Sequence, residues 1–296
     1  MPLDLDDDHS RAASGGTGTD LGADGSGLTY RALRSPEDRT ACVALQREVW
    51  GDAYDCVPAS LLHVATSIGG LAIGAFDGDG ALVGFVFSLV GIRDGEPIHW
   101  SHMLGVRESV RGAGVGRHLK EMQRAELAQR GISRVLWTFD PLQARNAHLN
   151  FNRLGVRLID YVENMYGITA SPLHHGLATD RLIVMLPTSP AAVPPAATAS
   201  GSSGANGAAP ILTPFPRSGD LTVDVDDTLV PSVLIEIPTD LQQLLASAPE
   251  VAGTWRMATR SSFLRAMRRG YDVTGLRRDQ ATNRAFYMLT AASRTA

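Results

Sequence analysis

The sequence predicts a mixed α/β protein, with a largely antiparallel sheet flanked by helices and a smaller α/β lobe near the C-terminus. Three observations lead to this prediction. Two apolar runs flank Asp77-Gly78-Asp79-Gly80, a turn signal typical of an antiparallel hairpin. Farther along, strand-like segments alternate with amphipathic helical segments. A stretch rich in Pro, Ala, Ser and Gly then precedes a second group of strand and helix patterns.

The elements of the main part follow in order along the chain. We expect a first strand over residues 28–33 and a helix over residues 36–50, with Ser35 as its N-cap and Pro36 in its first turn. The apolar stripe of this helix consists of Cys42, Leu45 and Val49. The remaining elements are expected to be strands 71–76, 82–90, 99–106, 135–139, 156–162 and 181–186 and helices 114–129 and 144–154.

The chain divides at two segments that cannot bury enough apolar surface to fold. Residues 1–27 are mostly Gly, Ser, Thr and Asp, so we expect a disordered tail. Residues 187–210 contain no charged or aromatic residue and are expected to form a linker. The linker separates a main domain over residues 28–186 from a lobe over residues 211–296. This lobe is predicted to contain strands 233–238, 271–274 and 285–289 and a helix over 249–269.

Composition excludes several classes of protein. The 296 residues are 44% hydrophobic and 20% charged, which is ordinary for a globular protein. The formal net charge of -4 gives no reason to expect a nucleic-acid partner. Two cysteines are too few for a disulfide framework, and no apolar run approaches the roughly 20 residues of a membrane span. The N-terminus is acidic and lacks a signal peptide, so we expect a cytoplasmic protein without a membrane partner.

The run Arg111-Gly112-Ala113-Gly114-Val115-Gly116-Arg117 follows a short strand and begins a helix. Three glycines within five residues belong in a turn, because each costs roughly 1 kcal/mol relative to alanine inside a helix. Backbone amides at a helix start carry unsatisfied N–H groups and the positive end of the helix dipole. With an arginine beside them, they are suited to bind a phosphate or pyrophosphate.

The spacing within the run decides which anion loop it resembles. A phosphate-binding Walker loop needs Gly-Lys followed by Ser or Thr, but Gly116 is followed by Arg117 and His118. A dinucleotide-binding loop needs Gly-x-Gly-x-x-Gly, which is absent. The spacing of Arg111, Gly114 and Gly116 instead resembles the coenzyme A pyrophosphate loop of the GNAT N-acyltransferase superfamily.

The resemblance covers about half of the chain and implies a GNAT-type sheet with acetyl-CoA or another acyl-CoA as co-substrate. In that fold the strands near 103–106 and 135–139 splay apart, and the pantetheine arm lies between them. A second signature of the superfamily resembles the stretch from Asn146 through Phe151 to Gly155. The implied coenzyme contacts are Leu104, Gly105, Val106, Arg111, Gly112, Ala113, Gly114, Val115, Gly116, Arg117, Asn146 and Phe151.

One departure from the superfamily concerns the proton donor. Many relatives place a tyrosine at the position of Phe151, where it protonates the leaving thiolate, and phenylalanine cannot do so. Tyr161 and Tyr166 are the nearest substitutes in sequence. The thiolate can also leave unassisted, because thiols have a pKa near 8.5.

Acylation of an amine also needs a base that removes a proton as nitrogen attacks the thioester. His102 is favoured over His99, because by strand alternation it shares a face with Leu104 and Val106. Further candidates are Asp140, His148, and the loop residues His174 and His175, which could gate the acceptor site. The spacing of His, Cys, Asp and Glu indicates no metal site.

The sequence thus predicts an acyl-CoA-dependent N-acyltransferase that moves an acetyl or other short acyl group to a primary amine by direct attack. Trp137-Thr138-Phe139-Asp140-Pro141-Leu142 and Thr179-Asp180-Arg181 resemble a bacterial subgroup described mainly as predicted acetyltransferases, some of them tied to N-acylation of amino acids. An amino acid is therefore one candidate among small amine acceptors. The alternative is a coenzyme A binding or sensing protein without catalysis, and a nicotinamide-dependent oxidoreductase is more distant. A homodimer is one oligomeric state that the sequence leaves open.

Overall fold

The computed structural model describes residues 27–167, 176–189, 209–221 and 230–292. The expected disordered tail, most of the expected linker, and His174 and His175 lie outside these residues. The division of the chain at the linker therefore stays a prediction.

Seven strands form the main sheet: β1 Thr29–Ala32, β2 Leu71–Phe76, β3 Leu82–Arg93, β4 Glu96–Val106, β5 Arg134–Phe139, β6 Arg157–Val162 and β7 Arg181–Pro187. Their order across the sheet is β1-β2-β3-β4-β5-β7-β6. Among the described strands of this sheet, β4 and β5 pair in parallel and the other neighbours are antiparallel. The predicted mixed, largely antiparallel sheet is confirmed.

The helices of this part are α1 Pro36–Trp50, α2 Ala59–Ser67, α3 Val115–Gln129 and α4 Ala144–Ala147, which continues into a π-helical turn over His148–Leu154. Helix α1 begins with a capping box, in which the Ser35 hydroxyl accepts from the Asp38 amide and the Asp38 carboxylate accepts from the Ser35 amide. Gly155 ends the turn after α4 with a φ of 69°, as a C-terminal glycine should. The sequence analysis missed α2, whose Leu61 and Val64 are exposed while Leu62 and Ala65 are buried.

A second sheet contains β8 Ile211–Leu212, β9 Ser232–Ile237, β10 Tyr271–Asp279 and β11 Arg284–Ala291, in the order β10-β11-β9-β8. Helices α5 Leu241–Ser247 and α6 Pro249–Arg268 accompany it. The long helix α6 contacts β9 and β10 of its own sheet and also β6 of the main sheet. The predicted smaller α/β part is thus present, with α6 between the two sheets.

Two apolar clusters lie on the two sides of the main sheet. The smaller one joins α1 and α2 to residues such as Phe85, Phe87 and Met103. The larger one lies on the side of α3 and continues into the second sheet, where Tyr287 packs against both Phe151 and Phe263. None of the helices in the described ranges is long and apolar enough to cross a membrane.

Candidate functional site

The parallel strands β4 and β5 are joined over a short length only. Their register holds two residue pairs, His99 with Val135 and Trp100 with Leu136. Beyond these pairs each strand remains bonded on its other side, β4 to β3 as far as Val106 and β5 to β7 as far as Phe139. The carboxyl-terminal halves of the two strands therefore separate, and they leave an opening in the middle of the sheet.

The glycine-rich loop begins α3 at the wide end of this opening. Gly114 is the N-cap, with a φ of 86°, and no side chain caps the helix. Gly112 also has a positive φ of 87°. Residues 111–114 are exposed, while Val115 is buried and anchors the helix start. The first turn of α3 therefore has amides without a side-chain cap, an arrangement that suits an anion.

The two arginines of the loop differ in their contacts. Arg111 is exposed, and its Nε donates to the Val106 carbonyl at 3.1 Å, so the side chain folds back over the loop. Arg117 Nε donates to the Glu121 carboxylate at 2.8 Å one turn along α3. Within the described ranges, the terminal nitrogens of Arg111 have no protein acceptor. Arg111 is therefore the arginine that can bind an anion without first breaking an ion pair.

The end of β4 lies close to the start of α3. A Cβ on Gly116 would be 3.6 Å from the side chains of Leu104 and Val106. Gly105 is constrained from the opposite side, because a Cβ there would lie 2.6 Å from the Phe85 ring and 3.2 Å from Trp50. Gly105 is thus required for packing, and any contact it makes with a coenzyme would come from its backbone.

His102 occupies a β-bulge in β4. In the register with β3, Ser101 lies opposite Ser88 and Met103 opposite Phe87, so His102 is the extra residue. Because of the bulge, simple alternation of side chains along β4 does not hold at His102. Leu104 and Val106 pack with the apolar cluster under α3. The His102 ring instead meets the edge of the Phe87 ring in the other cluster, with 6.3 Å between the ring centroids. The predicted shared face is therefore wrong. The ring is partly accessible, and desolvation of its imidazolium lowers the pKa of His102.

His99 lies in the core of the sheet. It is 1% exposed, and its Nδ1 shares a hydrogen bond with the Ser88 hydroxyl at 2.9 Å. Burial, with a smaller effect of Arg130, lowers the pKa of His99 to about 4. The preference of the sequence analysis for His102 over His99 is consistent with this burial.

A lysine that the sequence analysis passed over lies at the closed end of the opening. Lys120 of α3 is 3% exposed, and its Nζ donates to the Ser101 hydroxyl at 2.7 Å and to Gln123 Oε1 at 3.2 Å. The same Nζ lies 3.6 Å from the centroid of the Trp137 ring on β5. Burial holds the pKa of Lys120 well below its usual range. Its spacing of seven residues from the apolar Leu127, on the same face of α3, was a signal available in the sequence.

Asp140 and Tyr161, both predicted as catalytic candidates, take part in the contact with α6. Asp140 accepts two hydrogen bonds from Arg256, at 2.8 and 2.6 Å, and lies 3.6 Å from Arg181. Tyr161 is 4% exposed and donates to Asp180 at 2.6 Å, and burial together with this hydrogen bond raises the pKa of Tyr161. Both groups are therefore engaged in buried interactions away from solvent, where neither is accessible as a base or an acid.

The two predicted contacts on the second signature have opposite surroundings. Asn146 is exposed on α4 and accessible to a ligand. Phe151 is 3% exposed and enclosed by the rings of Phe139 and Tyr287. Phe151 is thus a core residue, and a coenzyme contact by its side chain would need a rearrangement.

Polar and aromatic side chains lie beside the opening on the side of α1 and α2. The Thr138 hydroxyl of β5 lies 3.4 Å from the Tyr166 hydroxyl, and the Arg181 guanidinium is 5.4 Å from the Tyr166 ring. Tyr54 stacks on Trp50, which itself covers Gly105 of β4. Burial raises the pKa of Tyr54, and Tyr166 and Arg181 also act on it, so these groups face a shared region.

Comparison with known proteins finds similarity only in structure. No protein-family model and no curated protein matches the sequence. The ribosomal-protein-S18-alanine N-acetyltransferase from Escherichia coli is similar, with 19% identity, 55% of this chain and 94% of that chain covered, and a TM-score of 0.44. A GNAT-family acetyltransferase from Streptococcus pneumoniae has 19% identity and a TM-score of 0.45, with 54% of this chain and 99% of that chain covered. Aminoglycoside 6'-acetyltransferase type Ii has 20% identity and a TM-score of 0.44, with 55% of this chain and 97% of that chain covered.

At these identities and TM-scores the likeness concerns the fold of about half the chain. The roles of individual residues must therefore come from the geometry of the site.

Proposed function

We propose that this protein is an acyl-CoA-dependent N-acyltransferase that acylates a primary amine by direct attack on the thioester. The observation that carries the proposal is one juxtaposition. The uncapped, glycine-rich start of α3, with Arg111 beside it, lies at the wide end of the opening between β4 and β5. A pyrophosphate on the loop would place an attached pantetheine arm where the sheet has no hydrogen bonds of its own.

The backbone of β4 can bind that arm and polarise the thioester. A bulge leaves one residue outside the ladder of backbone hydrogen bonds, here at His102. An N–H near this point can donate to the thioester carbonyl as negative charge develops on its oxygen. That charge develops as the new N–C bond forms, and the carbonyl then re-forms as the C–S bond breaks and the coenzyme A thiolate leaves.

His102 is the base that the geometry supports. Its ring is accessible from the side of α1 and α2, and its lowered pKa keeps it neutral at pH 7, so it can accept the proton of the attacking amine. We assign no side chain to protonate the thiolate, because the core packing of Phe151 and the Asp180 hydrogen bond of Tyr161 occupy the obvious candidates. Coenzyme A thiolate is a good leaving group without such help.

The acceptor we test first is an amino acid. Arg181 donates to the carbonyl of Asp180 at 3.3 Å, and its ion pair with Asp140 is long at 3.6 Å. Since Asp140 is already held by Arg256, Arg181 retains donors that suit a carboxylate. An amine acceptor bearing a carboxylate could therefore be oriented by Arg181 while its nitrogen faces His102.

The test measures thiol release from acetyl-CoA and longer acyl-CoA esters with a panel of amino acids and their decarboxylated amines. We expect turnover with at least one pair, and His102→Gln should lower kcat by about 100-fold, as expected for loss of a general base, with little change in coenzyme affinity. His63→Gln is the matched control, because His63 is exposed on α2. Equal turnover by the His102→Gln protein would remove His102 from the mechanism.

A binding protein without catalysis is the second candidate, and the burial of Phe151 without a hydroxyl favours it. Tight coenzyme A binding by calorimetry, combined with no thiol release for any amine in the panel, would select this candidate. Absence of coenzyme A binding would refute both.

A further inference from the structure

A buried polar cluster lies under the main sheet where the pairing of β4 and β5 ends. It consists of Ser88, His99, Ser101, Lys120 and Gln123, each 5% exposed or less. Ser88 bonds to His99, and Lys120 bonds to Ser101 and Gln123. The cluster interrupts an otherwise apolar side of the sheet, and buried polar groups of this kind usually have a structural or functional reason.

The cluster has donors in excess of acceptors. No carboxylate within the described ranges pairs with Lys120, although a buried ammonium normally has one. The Nε2 of Gln123, which is 1% exposed, has no hydrogen-bond partner in that part of the chain. His99 contributes no negative charge. What the cluster lacks is an anionic acceptor.

Lys120 is the single lysine of the chain, which has 27 basic residues in all. The other basic residues are arginines, whose guanidinium keeps its proton under all ordinary conditions. A lysine ammonium is compact and can lose or regain its proton as its surroundings change. Unlike an arginine, Lys120 can therefore be neutral when the site is empty and charged when an anion binds.

The position of Nζ decides which anion could reach it. Nζ contacts Ser101 on β4 and Trp137 on β5, and each is the residue after the last backbone pair, Trp100 with Leu136. Nζ therefore bridges the two strands at the closed end of the opening. The route to it that fits the proposed function runs between the strands, along the path of the pantetheine arm and acyl group.

We propose that Lys120 and Gln123 bind the terminal carboxylate of the transferred acyl group, so that the donor is the coenzyme A monothioester of a short dicarboxylic acid. This inference rests on the proposed function. The carboxylate would supply the missing acceptor to both side chains, and Lys120 would take up a proton as it binds. An uncharged chain of equal length would leave those donors unsatisfied.

Kinetic comparison of matched donors tests the proposal. We expect kcat/KM for succinyl-CoA to exceed that for butyryl-CoA, which has the same four-carbon chain, by about 10-fold to 100-fold, the range of a charge-assisted hydrogen bond. Lys120→Met should abolish or reverse the preference, and Gln123→Met should reduce it. Ser67→Met is a control at an exposed position of α2. A wild-type enzyme that prefers butyryl-CoA or acetyl-CoA would overturn the inference and leave the proposed function intact.

Nuclear magnetic resonance supplies a readout that does not depend on turnover. Because the chain has one lysine, labelling with ¹³C-lysine gives one side-chain signal that belongs to Lys120. The stable thioether S-(3-carboxypropyl)-CoA should raise the apparent pKa of this signal, whereas S-butyl-CoA should not. Equal changes in the apparent pKa of Lys120 with the two ligands would show that Lys120 has a structural role and does not bind the carboxylate. If no acyl-CoA supports thiol release, the proposed function fails, and this experiment still decides whether the cluster binds a carboxylate.

Discussion

The loop that begins α3 and the buried contact between α6 and the main sheet both use arginine, with opposite surroundings. Arg111 is exposed, and within the described ranges its side chain makes one hydrogen bond, to a backbone carbonyl. Arg256 is 2% exposed and forms two hydrogen bonds to Asp140. The difference teaches that a charge already desolvated and paired serves stability, whereas a charge left in water beside bare amides is available to a ligand.

The largest effect should come from breaking the buried pair. Arg256→Met leaves buried Asp140 without a close cation, with the Leu142 amide and the longer contact to Arg181 as its remaining partners, so the free energy of unfolding should fall by about 3 to 5 kcal/mol. Urea denaturation measures it, and Arg268→Met at the exposed end of α6 is the control. The double variant Arg256→Met/Asp140→Leu should recover much of the loss. A change below about 1 kcal/mol for Arg256→Met would mean that this arginine is not structural.

The exposed arginine should show the reverse pattern. Arg111→Ala removes a charge-assisted hydrogen bond to pyrophosphate worth about 1.5 to 3 kcal/mol, so coenzyme A affinity should fall by about 10-fold to 150-fold. Its unfolding free energy should stay within about 0.5 kcal/mol of wild type, since the side chain is on the surface. Calorimetric titration measures the coenzyme A affinity, and urea denaturation measures the unfolding free energy. Wild-type affinity in a folded Arg111→Ala protein would mean that the loop is a helix entry without a ligand.

A backbone change in the loop should cost less stability than loss of the buried pair. A Cβ on Gly114 meets no atom within 4 Å, so space is not the constraint there. The φ of 86° is the constraint, and Gly114→Val should cost about 1 to 2 kcal/mol of stability. Coenzyme A affinity should fall at least tenfold as the loop changes shape. Gly78→Val is the control, because Gly78 has an open surrounding without a positive φ, and similar losses from both would contradict the backbone explanation.

Local patterns predicted most of the elements because the signals act between near neighbours. The capping residues Ser35 and Pro36 begin α1 at the predicted position, and Gly155 ends the turn after α4. Helix α2 gave no such signal, since its apolar residues Leu61 and Leu62 are adjacent and point to different sides. A helix without one apolar face lacks the periodicity that sequence reasoning detects.

The candidate catalytic residues were harder to predict, because their roles depend on distant partners. Strand alternation placed His102 with Leu104, but the bulge changed its side, and alternation assumes an unbroken register. Asp140 and Tyr161 lie at sequence positions that suit a catalytic role. In the fold, however, Asp140 accepts hydrogen bonds from Arg256, and Tyr161 donates one to Asp180. The partner Arg256 is 116 residues away from Asp140 along the chain.

The sequence by itself determined the mixed α/β architecture and the glycine-rich turn that begins α3, since glycine spacing, capping residues and apolar periodicity act locally. Tertiary structure alone decided which charged side chains remain available to a ligand. Lys120 shows the reason most clearly: its residue type is visible in the sequence, but its burial and its contacts with Ser101 and Trp137 exist only once α3 has packed under β4 and β5. Desolvation and pairing are properties of that packing, and they separate a structural charge from a binding one.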